Sequence, residues 1–295
     1  MDTATDKNTR ILHPRAKINL TLDVTGRRAD GYHLVRMIMQ SVTLCDTIYL
    51  TARPEPGITL ETDSPSIPAD EHNLMWKAAD KLIRTCGIRE GIHMRLEKKI
   101  PAAAGLAGGS TDAAAVFTGM NDLFQLGLSR EELMRMALPL GADIPYCILG
   151  GTALAEGIGE QLTPLPAMPA CAILLARPDI EVSTPWAYRT LDDTEVIRHP
   201  DTEKMLGALK AGSLTDLASG LENVLEQVTA ARYPVIEDIR QHMLACGAIG
   251  ARMSGSGPTV FGIYKDKKEA ASAAEELQRS TLAKEITHIS IQTPT

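Results

Sequence analysis

Three groups of residues in this chain have types and spacings that suit chemistry on a phosphate group. The first runs from Pro101 to Thr111, where alanines and glycines precede a helical pattern. Glycine lets a backbone approach a ligand closely, and the first turn of a helix offers unpaired N–H groups and a partial positive charge. These features predict an anion site, with phosphate as its usual occupant. Because the stretch lacks the Gly-Lys-Ser/Thr ending of a Walker A loop, any assisting lysine comes from elsewhere.

The second group is Lys17 with Asn19, which alternate with apolar residues in a predicted strand. A period of two directs both side chains to one face. They form either a solvated strand face or a cation and amide aimed at a phosphate or alkoxide. The third group is Asp143, which precedes Ile144-Pro145. The proline favours an extended Ile144, so Asp143 is expected on a defined loop, either as a turn residue or as a catalytic carboxylate.

Several further positions are weaker candidates. Tyr32 and His33 follow a charged turn and could hold a flat ring, or simply begin a strand. Thr184 and Tyr188 are four residues apart and share a face if the segment is helical. A second glycine loop, Ser254–Gly257, is by default a tight hairpin.

Asp112 lies in the first turn of the predicted phosphate helix. Its charge opposes a bound phosphate unless a metal or another cation lies between them. As a carboxylate interacting with the helix dipole, it needs no functional role.

The elements that must position these residues follow from hydrophobic periodicity. The helix after the glycine loop is expected to begin at an N-cap, Ser110 or Thr111, and to stop at Gly127. A capping box starts another helix at Ser129. Proline-rich residues 164–169 suggest a boundary between a domain at 1–166 and a domain at 167–295. The other predicted strands cover residues 16–24, 92–100, 150–156, 161–165, 172–176, 251–253, 260–264 and 285–291, and the other helices cover 73–86, 184–191, several segments of 201–245, and 267–278.

Composition narrows the class of protein. The chain has 295 residues and a formal net charge of −7, which argues against a nucleic-acid backbone as the main partner. Its five cysteines are scattered, which favours a reducing, cytoplasmic location over a disulfide framework. The histidines lack His-x-x-x-His spacing, so no dedicated metal site is expected. No apolar run approaches about 18 residues, so no membrane span is expected.

Taken together, the motifs resemble those of the GHMP kinases, the superfamily that includes galactokinase, homoserine kinase and mevalonate kinase. Three segments appear in the family's order: Pro14–Leu20, Pro101–Thr111 and Ala251–Val260. The resemblance implies an α+β protein of two domains. The N-terminal domain is expected to resemble the second domain of ribosomal protein S5, and the C-terminal domain is expected to be ferredoxin-like.

Further segments resemble one branch of this superfamily; they are Gly26–His33, Asn73-Leu74, Gly141–Pro145 and Ala155–Glu160. Members of that branch use ATP to phosphorylate the 2-hydroxyl of a cytidine-diphosphate-linked erythritol in the non-mevalonate isoprenoid pathway. A kinase of the mevalonate or homoserine type is the alternative, although neither small acid needs a ring clamp. A second alternative is a nucleotide-binding or RNA-binding module without catalytic activity. The presence of both Lys17 and Asp143 argues against this alternative.

The resemblance also implies roles for individual residues. Lys17 and Asp143 form the catalytic pair, with Asp143 as general base. The substrate is held by Asn19 beside the reacting hydroxyl, by Tyr32 and His33 at the cytosine, and by Thr184 and Tyr188 on the far side. ATP is bound by Asn73 near the nucleoside and, around the phosphates, by Pro101, Ala102, Ala103, Ala104, Gly105, Leu106, Ala107, Gly108, Gly109, Ser110 and Thr111.

The stretch Pro101–Thr111 leads to two further expectations, one about a metal ion and one about its alanines. A magnesium ion is expected to be held mainly by the nucleotide phosphates, with Ser110 or Thr111 reaching the ion or a phosphate oxygen. The alanines at 102, 103, 104 and 107 replace glycines of more glycine-rich relatives, and they fit only if they keep a negative φ.

Overall fold

The computed structural model describes residues 8–196 and 198–290, which fold into two compact units that alternate along the chain. The first unit comprises the described residues up to Ala16 together with Leu44–Ala102 and Ala107–Leu149. The second comprises Lys17–Thr43, Ala103–Leu106 and the described residues from Gly150 onward. The predicted boundary between residues 166 and 167 stays a prediction.

The structure contains both strands and helices. The strands are β1 Thr9–Leu12, β2 Arg15–Arg27, β3 His33–Cys45, β4 Thr47–Arg53, β5 Ile58–Thr62, β6 Gly91–Glu97, β7 Thr152–Glu156, β8 Gln161–Pro164, β9 Ala172–Arg177, β10 Glu222–Asn223, β11 Gly250–Met253, β12 Val260–Tyr264 and β13 Glu285–Ser290. The α-helices are α1 Leu74–Cys86, α2 Gly108–Leu123, α3 Arg130–Ala137, α4 Ile144–Leu149, α5 Thr184–Asp192, α6 Thr202–Ala211, α7 Leu214–Ser219, α8 Val224–Arg232, α9 Val235–Ala245 and α10 Lys267–Ser280, with a 3-10 turn at Leu138–Leu140.

The first unit is built on a four-stranded sheet in the order β1-β4-β6-β5. Only the β5–β6 pair is parallel, and the others are antiparallel. Helices α1 and α2 pack together and on this sheet. Phe117 and Met120 of α2 and Leu50 of β4 are fully buried there. This packing fixes the direction in which the start of α2 points.

The second unit contains two sheets. One has the order β10-β2-β3-β7-β8, and the other is antiparallel with the order β11-β12-β9-β13. Helices α9 and α10 pack on the second sheet. In chain order its strands run β-α-β-β-α-β, because helices separate β9 from β11 and β12 from β13. This arrangement confirms the ferredoxin-like prediction.

Many of the predicted elements are confirmed. Strand β2 forms as predicted, but its burial does not alternate, because polar and apolar side chains are both buried from Ala16 to Leu22. The capping box at Ser129 is complete: its side chain accepts from the N–H of Glu132, and the Glu132 side chain accepts from the N–H of Ser129. Helix α1 is capped by Asn73 and ends before Gly87, which adopts the left-handed region at φ 67°. The hairpin β7–β8 also forms as predicted.

The predicted limits of α2 are wrong at both ends. The helix begins at Gly108, so Ser110 and Thr111 lie inside its first turn and neither is the N-cap. That position belongs to Ala107. The helix ends at Leu123, and Gly127 lies beyond it with φ 69°.

Within the described residues, none of the helices combines the length and apolar character that crossing a membrane requires.

Candidate active site

The stretch from Pro101 to Thr111 connects β6 to the first turn of α2, as predicted. Ala107 at the N-cap has no side-chain oxygen, and no side-chain hydrogen bond caps the helix. The first backbone hydrogen bond of the helix runs from the N–H of Thr111 to the carbonyl of Ala107 over 2.9 Å. The N–H groups of Gly108, Gly109 and Ser110 therefore lack intrahelical acceptors and can serve an anion.

The expectation that every alanine of this loop keeps a negative φ is wrong. Ala103 has φ 50° and Ala107 has φ 56°, both in the left-handed region that favours glycine. An alanine there costs roughly 1–2 kcal/mol relative to the right-handed region. The loop therefore keeps its shape at a local energetic cost, which the surrounding contacts must offset.

The second glycine loop, Ser254–Gly257, contacts the stretch Pro101–Thr111, which we call the phosphate loop, at Gly105. The hydroxyl of Ser254 donates to the carbonyl of Gly105 over 2.9 Å. A Cβ at Gly105 would lie 2.2 Å from the carbonyl oxygen of Ser254, and Gly105 itself has φ 73°. Only glycine fits here. Ser254–Gly257 is therefore a brace for the phosphate loop rather than a plain hairpin.

Asn223 holds the second loop in place, a role that the sequence analysis missed. Its buried side-chain amide donates to the carbonyls of Met253 and Gly255, each over 2.8 Å. Its side-chain oxygen caps α8 by accepting from the N–H of Leu225. The carboxylate of Glu226 accepts from the N–H of Met253 over 2.6 Å. Burial raises the pKa of Glu226, and the guanidinium of Arg252 partly opposes that rise.

Lys17 and Asn19 do not form a solvated strand face. Lys17 is only 5% exposed and Asn19 is fully buried. The Lys17 ammonium donates to the Asn19 side-chain oxygen over 2.8 Å, which confirms that both side chains lie on one face of β2. The backbone N–H of Lys17 donates to the carbonyl of Leu106 in the phosphate loop. An ammonium held this far from water is costly to bury, which favours the functional interpretation of Lys17.

A buried charge cluster made of Lys98, Asp46 and Asp112 lies at the start of α2. The Lys98 ammonium contacts the carboxylates of Asp46 and Asp112, and the Asp112 contact measures 3.1 Å. Asp46 also accepts from the N–H of Lys99 and, over 2.8 Å, from that of Ile100. Lys98 is therefore a cation of the chain itself that lies beside Asp112.

Burial raises the pKa of Asp112 well above its usual range, the Lys98 ammonium opposes the rise, and the nearby Asp46 adds to it. The Oδ1 atom of Asp112 is buried and makes no hydrogen bond to any residue that the structure describes. A Cβ at Gly108 would lie 2.9 Å from the Lys98 Nζ atom. The cluster therefore packs directly against the first residue of α2.

The two hydroxyl groups at the start of α2 differ in availability. Thr111 is 3% exposed, and its hydroxyl donates to the carbonyl of Arg15 over 2.8 Å. Ser110 is half-buried. Ser110 or Thr111 was expected to reach a phosphate oxygen or a magnesium ion. Because the Thr111 hydroxyl already donates to the carbonyl of Arg15, Ser110 is the better candidate.

Asp143 is half-buried and directly precedes α4. Its carbonyl accepts from the N–H of Cys147 over 3.1 Å, which is the first turn of that helix. The prediction that Pro145 keeps Ile144 extended is wrong, because Ile144 is the first residue of α4 and Pro145 the second. Proline is tolerated in a first turn, where its missing N–H has no acceptor. Asp143 therefore stands at a helix start in the first unit.

The charged turn before β3 presents Tyr32 and His33 differently. Tyr32 is 59% exposed, whereas the His33 side chain is 12% exposed. The N–H of Arg28 donates to the carbonyl of Tyr32 over 2.7 Å, and Gly31 reverses the chain with φ 91°. The Tyr32 ring is therefore exposed on a tight turn, where it is accessible for stacking on a ligand.

Helix α5 brings its residues to this turn and to the second glycine loop. The ring of Tyr188 lies 4.9 Å from that of His33, measured between centroids. The hydroxyl of Thr184 lies 2.8 Å from that of Ser256. Asp192, which the sequence analysis missed, accepts from His33 over 2.6 Å and from Arg27 over 3.1 Å.

Asn73 is the N-cap of helix α1. Its side-chain oxygen accepts from the N–H of Met75, and its amide donates to the carbonyl of Pro68 over 2.7 Å. Its predicted place near the ATP nucleoside stays a prediction.

The structure thus groups the predicted site residues within each unit. The second unit brings Lys17 beside Asn19, Tyr188 beside His33, and Thr184 beside the second glycine loop. The first unit contains Asp143, Asn73 and the start of α2. The catalytic pairing of Lys17 with Asp143 stays a prediction.

Comparison with known proteins identifies the family. A family model of the GHMP kinase N-terminal domain matches residues 73–151, and one of the GHMP kinase C-terminal domain matches residues 205–284. A 4-diphosphocytidyl-2-C-methyl-D-erythritol kinase of Lachnospira eligens is 48% identical over 93% of this chain and 96% of its own length. One of Alkaliphilus metalliredigens is 48% identical over 90% of this chain and 91% of its own.

Solved structures agree. A 4-(cytidine 5'-diphospho)-2C-methyl-D-erythritol kinase is 32% identical, with a TM-score of 0.80 over 97% of this chain and all of its own. A homoserine kinase of Cytophaga hutchinsonii has a TM-score of 0.78 at 19% identity, which shows the two-domain fold alone. The chain is thus an ATP-dependent small-molecule kinase. It belongs to the GHMP kinases and, within them, to the family of 4-diphosphocytidyl-2-C-methyl-D-erythritol kinases.

Proposed function

We propose that this chain transfers the γ-phosphoryl group of ATP to the 2-hydroxyl of 4-diphosphocytidyl-2-C-methyl-D-erythritol, a step of the non-mevalonate isoprenoid route. The similarity to curated relatives that carry this kinase name is the observation that supports the proposal most. The partner is a small molecule. A cytoplasmic location, without nucleic-acid or membrane partners, stays a prediction.

The phosphate loop fits a nucleotide triphosphate. The N–H groups of Gly108 and Gly109 precede the first intrahelical bond of α2, and the brace at Ser254 holds the loop at Gly105. Such N–H groups stabilise phosphate oxygens without the lysine of a Walker A loop. A magnesium ion supplies charge neutralisation on the phosphates when bound, with Ser110 as the hydroxyl that would reach it.

Lys17 is the group that stabilises charge on the entering oxygen. A loose phosphoryl-transfer transition state needs positioning and charge stabilisation more than covalent help. The hydrogen bond to Asn19 fixes the ammonium, and burial keeps it away from competing water. Both conditions increase the effect of a charge on a nearby transition state.

Asp143 is the group that orients the acceptor hydroxyl and accepts its proton. A carboxylate in hydrogen-bond reach of an attacking hydroxyl suits general-base catalysis. At the other end of the substrate, Tyr32 stacks on the cytosine and His33 hydrogen-bonds to it. The exposure of the Tyr32 ring and the contact of His33 with Tyr188 support this assignment.

The experiment that tests the proposal measures phosphate transfer from labelled ATP to the cytidyl substrate, with mevalonate and homoserine as parallel acceptors. We expect transfer to the cytidyl substrate alone. Preference for either small acid would contradict the proposal and would favour the sister kinases.

Two variants test the catalytic roles. We expect Lys17→Ala and Asp143→Ala each to lower kcat by about 10²-fold or more, since a single transition-state contact is worth that much. Far-UV circular dichroism checks that both variants fold. Turnover close to that of the unmodified chain in either variant would remove the role given to that residue.

A further inference from the structure

Two side chains at the proposed nucleobase end, Asp192 and Arg27, have no role so far. One carboxylate oxygen of Asp192 lies 2.6 Å from the His33 Nε2 atom, and the other accepts from the Arg27 guanidinium over 3.1 Å. Arg27 is further tied to the turn, because its Nε–H donates to the carbonyl of Gly31. We call His33, Asp192 and Arg27 the histidine cluster.

The carboxylate decides which imidazole nitrogen carries the proton. An ionised carboxylate offers only acceptors, so the Nε2 atom of His33 must be the donor in their 2.6 Å contact. In a neutral imidazole the other nitrogen, Nδ1, is then an acceptor. The partner of one ring nitrogen thereby sets the chemistry of the other. The tilted contact with Tyr188, at 4.9 Å between centroids, also limits how the ring can turn.

An acceptor at this position distinguishes two pyrimidines. Cytosine carries an exocyclic amino group, which is a donor, whereas uracil carries a carbonyl oxygen at the same place, which is an acceptor. A site built to hydrogen-bond a donor rejects the analogue that presents an acceptor, because two buried acceptors would then face each other.

We infer that Asp192 is a positioning residue that selects cytosine over uracil by holding His33 as the Nε2–H tautomer, with Nδ1 accepting from the cytosine amino group. This inference rests on the proposed function, in which His33 contacts the base. Arg27 supports it by occupying the second oxygen of Asp192, which keeps the carboxylate aimed at the imidazole.

The test compares kcat/KM for the cytidine-diphosphate substrate with that for its uridine-diphosphate counterpart in the full-length enzyme. We expect the unmodified chain to prefer the cytidine substrate. In Asp192→Asn the amide can donate to Nε2, which moves the imidazole proton to Nδ1. We therefore expect the cytidine-to-uridine ratio to fall about tenfold or more, through KM rather than kcat, with the KM for ATP unchanged.

Asp193→Asn is the matched control. Asp193 is the next residue, carries the same exposed carboxylate and ends α5 through its backbone N–H alone. We expect this variant to keep the substrate ratio of the unmodified chain. An equal change in both variants would mean that loss of negative charge, not the tautomer, sets the preference, and would overturn the inference.

A second measurement observes the tautomer directly in the unmodified chain and uses a variant only to assign the signals. Nitrogen-15 NMR of the imidazole, assigned with His33→Gln, should show a protonated Nε2 and an unprotonated Nδ1 in the unmodified chain. The opposite tautomer would overturn the inference, as would an unchanged substrate ratio in Asp192→Asn. If the unmodified chain phosphorylates neither substrate, the proposed function itself fails, whereas turnover with an unaffected ratio removes only the role of Asp192.

Discussion

The buried charge cluster of the first unit pairs one cation with two carboxylates, and the histidine cluster of the second pairs Arg27 with one carboxylate, but the two clusters differ in contact with water. The side chains of Lys98, Asp46 and Asp112 are 7%, 0% and 4% exposed. Those of Arg27 and Asp192 are 55% and 29% exposed. Buried charges must be matched within the protein, whereas partly exposed charges remain solvated when a partner is lost. The first cluster is therefore expected to determine stability, and the second to determine how a ligand is recognised.

The largest effect should come from removing the buried cation. Lys98→Met leaves two carboxylates without their ammonium, and breaking a buried pair in this way typically costs 3–5 kcal/mol, so a loss of about that size is expected. Equilibrium urea denaturation measures it. Lys99→Met is the matched control, because the Lys99 side chain is exposed and only its backbone contacts Asp46. Similar stability losses in the two variants would contradict the comparison.

An intermediate effect should appear as a pH dependence. Because burial raises the folded-state pKa of Asp112 above its ordinary 3.8, its contribution to stability is fully present below that value. The contribution is lost as the pH rises through the folded-state pKa. Asp112→Asn cannot ionise, so the free energy of unfolding of the unmodified chain should fall relative to that of the variant as the pH rises from about 4.

Urea titrations of both proteins across the pH range measure this difference. A difference that stays constant, or one that grows in favour of the unmodified chain as the pH rises, would mean that Asp112 is ionised in the folded state without cost. The burial argument for the first cluster would then fail.

The smallest effect on stability is expected in the histidine cluster. Asp192→Asn removes an exposed ion pair with Arg27, and such pairs contribute about 0–1 kcal/mol. We expect the thermal midpoint to change by no more than a few degrees, about what 1 kcal/mol produces in a chain of this size. A loss comparable to that of Lys98→Met would show that the histidine cluster is also a structural element, and would break the distinction between the two regions.

Local patterns in the sequence predicted much of the fold. The alternating sequence of β2, the capping box at Ser129 and the helical pattern of residues 73–86 each depend on residues close together in the chain. The start of α2 was misplaced because Ala107, at its N-cap, has a left-handed backbone that no side-chain signal marks. Ile144 was misplaced because a proline in second position allows a helix as readily as it ends one.

The site was predictable only where its residues belong to recognisable motifs. Lys17, Asn19 and His33 lie in such segments, and the structure gives each a specific neighbour. The missed residues meet their partners over long distances in sequence. Asp46 contacts Lys98 across 52 residues, and Asp192 contacts His33 across 159. Neither carboxylate has a local pattern that distinguishes it from the other acidic residues of the chain, so only the folded chain shows what it does.

The left-handed alanines of the phosphate loop have a consequence for nucleotide affinity. Ala103 and Ala107 hold backbone angles that glycine adopts freely. An alanine has fewer backbone conformations available than a glycine, so the loop is less free to move away from this shape. A segment with little conformational freedom loses little of it when a ligand arrives, so more of the contact energy remains as binding. In the proposed function, the loop that binds the triphosphate is therefore already ordered when the protein folds, and a glycine at either position is expected to move part of the ordering cost to the binding step.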